Sequence, residues 1–517
     1  MRLTVAASTG RDFSQVALVA SIADAKVSSV TSSGALPTGA FSMRSPFGRR
    51  AIGLSVAAAV GGFLFGFDSS VINGAVDSIQ TDFGLNDFIK GFVVAIALLG
   101  CAVGAIIAGN LSDRWGRLRV MFLGAIMFFV SSIGSAVAFA AWDLAVWRVI
   151  GGLGIGIASV VAPAYISEIA PRQIRGSLAS LQQLAITIGI FAALLSNAVL
   201  AGVAGGADSV FWLGLDAWRW MFLVGVVPAA VYGILSFTVP ESPRFLISKG
   251  RGDEARAIFG RLVPEVDLDK TMTELTNMIE TDRKNKGASL RGPVLGLQGI
   301  VWVGIILSVF QQFVGINVIF YYSTSLWASV GFGESNSFLI SVFTSVVNVL
   351  VTLIAIWLVD RVGRKPILLT GSIIMAVSLG AMALSFAFAT GTAPDVSLPA
   401  PWGPIALIAA NLFVIGFGAS WGPLVWVLLG EIFPSRIRGK ALGIAAGAQW
   451  IANFLITVSF PVMSGWSLPL TYAMYAAFAF LSFLYVLWRI PETKGMELEQ
   501  TETLFVQRPK TGATPAA

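Results

Sequence analysis

The chain contains no histidine and a single cysteine, Cys101. Without imidazole there is no histidine general base, no histidine metal site and no histidine proton relay, so a proton carrier here must be a carboxylate or a less suitable group. One cysteine cannot close an intramolecular disulfide, and its apolar surroundings read as a small buried residue. Charge is scarce as well. Of 517 residues only 12% are charged and 56% are hydrophobic, against about 25% charged in soluble domains; mean hydropathy is +0.80. No nucleophile–base pair, metal cluster or phosphate-cradling loop with a basic partner stands out, so neither an enzyme nor a metal or cofactor is expected. Gly151-Gly-Leu-Gly-Ile-Gly156 has dinucleotide-motif spacing. It lies mid-helix in an apolar run, where small residues serve close helix packing.

What is abundant is long apolar sequence. A membrane-crossing helix needs about 20 mostly apolar residues, and in lipid a helix is the only form for such segments. Twelve runs qualify, at 52–72, 89–109, 119–140, 143–164, 177–202, 218–238, 296–325, 336–359, 367–390, 405–428, 440–460 and 470–489. The net charge of +6 is distributed by side rather than spread over a surface. Of 34 Lys and Arg, 31 fall in the N-terminal segment, the even-numbered loops and the tail; the exceptions are Lys90, Arg148 and Arg219. This is the positive-inside pattern, and it predicts both termini in the cytoplasm and an even number of spans. The fold class expected is all-α integral membrane with twelve transmembrane helices, multi-pass in the cell membrane and surrounded by lipid bilayer.

Residues 1–50 are rich in Ser, Ala, Gly and Thr and are expected to be a disordered cytoplasmic segment. Met43, followed by Arg-Ser-Pro-Phe-Gly-Arg-Arg and then the first span, is a candidate translation start. Beyond these, the expected organisation is a six-helix half at 51–239, a cytoplasmic linker with short helices at 240–295, a second six-helix half at 296–490 and a cytoplasmic tail at 491–517.

The two halves repeat three motifs in the same order. Asp113-Arg114-Trp-Gly116-Arg117 matches Asp360-Arg361-Val-Gly363-Arg364. Glu168-Ile-Ala-Pro171-Arg-Gln-Ile-Arg175 matches Glu431-Ile-Phe-Pro434-Ser-Arg-Ile-Arg438. Pro240-Glu241-Ser242 matches Pro491-Glu492-Thr493. Two pseudo-symmetric halves follow. The paired acidic and basic residues at one face, with Arg244 beside Glu241, are expected to form inter-helix salt bridges that hold that face shut and break on opening. The plainer alternative is that the arginines only set topology.

At this point the sequence resembles the sugar porter family of the major facilitator superfamily over about residues 50–500. Pro240-Glu-Ser-Pro-Arg244, Gln311-Gln312-x-x-Gly315-Ile-Asn317, Gly422-Pro-x-x-Trp426 and the doubled Asp-Arg-x-Gly-Arg carry the likeness, which is nearest to bacterial sugar–proton symporters of the xylose and glucose type. The resemblance implies the major facilitator fold, a monosaccharide and a proton as cargo, and a site midway across the membrane reached alternately from each side. With both halves present in one chain, a functional monomer is expected.

Polar groups inside spans are functional candidates by default. Asp68 is the only carboxylate well inside a predicted span and Arg148 the only buried cation. They are expected to pair and to couple the proton, since protonating Asp68 would release Arg148. A permanent salt bridge that never titrates is the alternative. By resemblance, proton-using relatives match this chain at Asp68. Some carry a further glutamate where Gly225 stands here, so that relay position is missing. Amides donate and accept hydrogen bonds without net charge, which suits sugar hydroxyls. Gln183, Gln311, Gln312, Asn317, Asn348, Trp426, Gln449 and Asn453 match the family's sugar contacts by resemblance, and Tyr321 with Tyr322 its gating end. Uncoupled sugar diffusion, polyol or cyclitol transport and a transporter-like nutrient sensor stay open as other readings.

Overall fold

In a computed structural model of the chain, the described residues are 46–493, apart from 171–174, 263–267, 271, 274, 278, 281–288, 392–396 and 435–436; the side chains of 175–177, 179, 359, 360 and 439 are also outside the description. The expected disordered segment up to residue 45, Met43 within it, the tail from 494, and the side chains of Arg175 and Asp360 therefore lie outside the described residues.

Among the described residues, eleven helices are long and apolar enough to cross a bilayer. The last of these, Lys440–Arg489, is two spans in one. Ser467 has non-helical angles (φ −161°, ψ 104°), its hydroxyl accepts the amide hydrogen of Leu470 at 3.4 Å, and Pro469 follows it. A serine cap with a proline in the first turn is how a new helix begins. The fold is thus all-α with twelve spans, six between Pro46 and Thr238 and six between Gly299 and Arg489, which form the two halves. Short helices Pro243–Ser248 and Gly252–Phe259 lie in the segment between them.

The apolar runs mark the spans, while the helices themselves depart from them at particular residues. The first helix, Pro46–Phe83, has 38 residues and is about 57 Å long at 1.5 Å per residue. It overshoots a hydrocarbon core of about 30 Å and carries Asp77 and Asp82 beyond it. The sixth span breaks at Gly225, between Ala217–Val224 and Val226–Thr238. The seventh breaks at Gly315, left-handed at φ 82°, into Gly299–Phe313, Ile316–Tyr321 and Ser323–Ser329. The tenth breaks at Ser420 (φ −131°, ψ −84°) between Trp402–Ala419 and Trp421–Ile432. Breaks at membrane depth are tolerated where protein re-satisfies the freed backbone groups, and those of the seventh and tenth spans sit beside the amide motifs.

Small residues bring the second and fourth spans together. A Cβ at Gly152 or Gly156 would collide with the carbonyls of Ala97 and Cys101. The glycine run of the fourth span is therefore a packing face.

Candidate functional site

Asp68 and Arg148 meet. Arg148 Nη1 donates to Asp68 Oδ1 at 2.8 Å, with the two side chains 9% and 3% exposed. The guanidinium carbon lies 5.9 Å from the centre of the Phe222 ring. Arg148 Nε is buried with no hydrogen-bond partner. A small cavity adjoins the pair. Asp68, Arg148, Cys101, Phe65, Ser69 and Tyr321 are among the residues lining it, and it has space for about one water molecule. Gly225 stands just beyond Phe222; a Cβ there would meet Ser132 Oγ at 2.7 Å and the Phe222 carbonyl at 3.0 Å. A larger residue at that position requires this corner to repack, which is the physical correlate of the missing relay carboxylate.

The amides gather in the C-terminal half. Gln311 Nε2 donates to the carbonyls of Trp421 and Gly422 at 2.9 and 3.2 Å, in the first turn of the helix that follows the break at Ser420. Trp421 in turn donates from Nε1 to Ser372 Oγ at 2.8 Å, and Ser372 and Ser482 share a hydroxyl bond at 3.0 Å. Gln312 Nε2 approaches Gln311 Oε1 at 3.5 Å and its own Oε1 accepts from Asn317 Nδ2. Asn453 Oδ1 accepts from Thr457 Oγ1 at 3.1 Å. Gln449 Oε1 is buried without a partner. Asn348 is buried with its Oδ1 against Gly418. Trp426 is 41% exposed, on the face of Trp421–Ile432 that the seventh, eighth, ninth and eleventh spans leave uncovered. In the other half Gln183 is half-buried, whereas its neighbour Gln182 is buried against Gly62 of the first span.

Gln311 is therefore not a free amide: both of its N–H donors are spent on backbone. The sequence also leaves several contributors unmarked. Phe65, on the Asp68 face three residues earlier, meets Trp450 edge-on at 5.4 Å and so joins the halves. Its spacing from Asp68 was the available signal. Asn73 has no motif around it, yet its Nδ2 donates to the Phe320 carbonyl at 3.0 Å and its carbonyl accepts from Thr324 Oγ1 at 2.6 Å.

Asn73 belongs to a seal on the face opposite the motif loops. There Asp77 accepts from Ser325 Oγ at 2.7 Å and from Lys90 Nζ at 2.7 Å, and Glu334 accepts the Ala207 amide hydrogen at 2.8 Å. Gly91 of the second span lies so close to the eleventh that a Cβ would strike the Val458 carbonyl. On the motif face, Gly430 and Gly443 have open space around them among the described residues. On the face opposite the motif loops the halves are closed together.

Among the described residues, the Arg117–Glu168 and Arg364–Glu431 pairs each lie within one half. Arg117 Nη2 pairs with Glu168 Oε1 at 2.8 Å, Ser242 Oγ donates to Glu168 Oε2 at 2.5 Å, and Glu241 accepts the Arg117 amide hydrogen at 3.0 Å. Arg364 Nη2 pairs with Glu431 Oε1 at 2.8 Å, Thr493 Oγ1 donates to Glu431 Oε2 at 2.6 Å, and Glu492 accepts the Arg364 amide hydrogen at 3.0 Å. Arg244 lies 3.9 Å from Glu168 and Asp113 3.3 Å from Arg117. Arg438 Nε donates to the Phe433 carbonyl at 3.1 Å. Arg361 stacks on Trp357 at 3.9 Å, and Arg114 is exposed. The expectation was pairs that bridge helices and shut a face. These pairs do bridge helices, Arg117–Glu168 within one half and Arg364–Glu431 within the other. Among the described residues no group of three or more Cys, Asp or Glu could hold a metal ion.

Residues 54–505 match the family described as "Sugar (and other) transporter". The chain is 50% identical over 449 residues to a glucose transport protein of Synechocystis sp., covering 86% of this chain and 96% of the relative. It is 36% identical over 485 residues to the D-xylose-proton symporter of Escherichia coli, covering 87% and 95%. A solved structure of the xylose transporter XylE from E. coli, in a partially occluded inward open conformation, superposes with a TM-score of 0.75 at 34% identity over 86% of this chain and 99% of that one. With the broken seventh and tenth spans, the repeated motif networks and twelve spans in two halves, the chain belongs to the sugar transporter family of the major facilitator fold and is a transporter rather than an enzyme.

Proposed function

We propose that the chain is a sugar:proton symporter that imports a monosaccharide, a hexose such as glucose or a pentose such as xylose, across the cell membrane as a monomer. The observation that carries this reading is the buried Asp68–Arg148 pair in one half, facing a half built of amides. An arginine held by a carboxylate inside a bilayer is costly unless it serves transport, and removing one partner of a buried pair strands the other. A proton on Asp68 does the same reversibly. It cancels the carboxylate charge, frees Arg148 and lets the first and fourth spans shift.

Sugar binds between the halves, on Gln183 from one side and Gln312, Asn317, Asn348, Gln449 and Asn453 from the other, with Trp426 packing on an apolar sugar face. Gln311 contributes when it exchanges a backbone carbonyl for a sugar hydroxyl. The names of the glucose and xylose-proton relatives support this cargo. The motif face, rich in Lys and Arg, is cytoplasmic with both termini, as the positive-inside bias supports. The closed opposite face is then the outer one. The networks of Glu168, Glu241, Glu431 and Glu492 with Arg117 and Arg364 keep each half rigid while the linker of 240–295 lets the halves rock, and Arg175 and Asp360 belong to the same motif sets.

The test is uptake of D-glucose and D-xylose into proteoliposomes with an imposed acid-outside gradient. Accumulation above equilibrium by the native chain, reduced to equilibration in Asp68→Asn, is the expected result. A native chain that never accumulates either sugar, while exchanging one in counterflow, overturns proton coupling.

A further inference from the structure

Tyr321 is grouped with the sugar amides, and its side chain also borders the Asp68–Arg148 pair. It ends the short segment Ile316–Tyr321, whose Asn317, one turn earlier on the same face, is bonded to Gln312. The Tyr321 side chain lines the cavity that holds Asp68 and Arg148. Its hydroxyl is buried and makes no completed hydrogen bond, and it points toward Asn453. A buried hydroxyl without a partner costs about 1–3 kcal/mol. Here Tyr321 and Arg148, each with an unpaired buried polar atom, both line one water-sized cavity. A water held there would have Asp68, Arg148 and Tyr321 among its neighbours. Among the described residues, the titratable groups lining this space are Asp68 on the first span, Cys101 on the second, Arg148 on the fourth and Tyr321 on the seventh.

We propose that Tyr321 is a positioning residue that couples sugar binding to proton binding at Asp68; the proposal rests on the symport reading above. A phenol has one O–H to donate. With the sugar site empty, it donates through the cavity water to the Asp68 carboxylate and, with Arg148, favours the ionised form. A sugar held at Asn453 and Asn317 draws that donor to itself. Asp68 loses one stabilising donor and takes up a proton from water entering the cavity. The linkage is reciprocal, so a protonated Asp68 leaves Tyr321 free for sugar and tightens sugar binding by the same factor. Tyr321 lies on one half and Asp68 on the other, so the cavity is where the two cargoes sense each other across the boundary along which the halves move.

The measurement is the affinity of the full chain for D-xylose and D-glucose over an acid-to-alkaline pH series, with accumulation in proteoliposomes alongside. The native chain should bind sugar about tenfold more tightly with Asp68 protonated than ionised, within the usual range of coupling. Tyr321→Phe should reduce that pH dependence to less than about twofold and lower the accumulation ratio toward that of Asp68→Asn. A residue that only touches sugar would weaken binding by the same factor at every pH, and that result, like total loss of binding, overturns the proposal. A native pH profile in Tyr321→Phe overturns it too. A second readout uses the unmodified chain: the infrared carboxyl band that disappears in Asp68→Asn should shift when sugar is added, and a band indifferent to sugar overturns the coupling whether or not Tyr321→Phe folds. If Asp68→Asn itself still accumulates sugar, the symport reading falls with it; if Asp68→Asn is uncoupled while Tyr321→Phe behaves as native, only the role of Tyr321 falls.

Discussion

The two motif networks are nearly superimposable, and the two membrane interiors are not. Each half places an arginine against a glutamate at 2.8 Å, caps that glutamate with a hydroxyl and lays a second carboxylate on the arginine's own amide at 3.0 Å. In both, the residue before the arginine is a glycine at positive φ, 93° at Gly116 and 109° at Gly363. Both glycines sit where a Cβ would press on the second carboxylate. At membrane depth the likeness ends: one half carries the Asp68–Arg148 pair, the other the linked amides Gln311, Gln312 and Asn317. What the halves share is mechanical framing, and what distinguishes them is cargo chemistry. A residue's role can therefore be sorted by whether the other half repeats it.

Breaking the unshared part should have the largest effect. Arg148→Ala leaves Asp68 buried without its partner, and we expect a loss of about 3–5 kcal/mol of stability, read as a lowered thermal unfolding midpoint. The double variant Asp68→Asn/Arg148→Gln should recover much of it; no recovery would mean that Arg148 acts by packing on Phe222. Next come the amides. Gln312→Ala should weaken sugar affinity by about tenfold, equivalent to about 1.4 kcal/mol, with little change in thermal midpoint. Gln311→Ala should weaken affinity and also lower the midpoint, because the carbonyls of Trp421 and Gly422 lose their donor. Equal midpoints for the two would remove the distinction between a sugar amide and a hinge amide.

The shared networks differ in burial, and that sets a smaller contrast. The Arg117–Glu168 side chains are 9% and 7% exposed, against 13% and 25% for Arg364–Glu431. Charge-assisted bonds are worth more when desolvated, so Glu168→Gln should cost about 2 kcal/mol and Glu431→Gln about 1 kcal/mol, with the second more sensitive to added salt. Equal losses would mean that the pseudo-symmetry extends to energetics. Smallest of all is Glu254. Hydrogen bonds from Arg251 hold its carboxyl below its ordinary range. A lowered carboxyl contributes stability above its unfolded value and loses it as pH falls below about 4. Both side chains are exposed and water screens the pair, so Glu254→Gln should change the midpoint at neutral pH least of all.

The spans were legible because apolar runs of the required length have few other uses, and the Asp68–Arg148 pairing because two opposite charges in such runs have few other partners. The break at Gly315 was legible in kind, since glycine alone adopts φ 82° without strain. The break at Ser420 had a signal in Pro423, three residues on, which has no amide hydrogen for the Ala419 carbonyl; the bonds from Gln311, more than a hundred positions away, had none. The same remoteness hid Asn73 and Trp450, whose roles come from facing the other half. The twelfth span was legible as well: the run at 470–489 stands apart from that at 440–460, and Ser467 with Pro469 begins the new helix between them. The motif glutamates were expected in inter-helix salt bridges at one face, and sequence reports that charges are near one face, but not which helices carry them together.

The Asp68–Arg148 pair has a consequence for voltage. Ionised, the pair sums to zero, so the unloaded carrier reorients without moving charge through the field. With a proton on Asp68 and a neutral sugar aboard, the same region carries one positive charge, and each crossing moves it. That step is worth about 2.3 kcal/mol per 100 mV. On the symport reading, a cell with a negative interior draws the loaded carrier inward even when pH is the same on both sides, and the return stroke is indifferent to the potential.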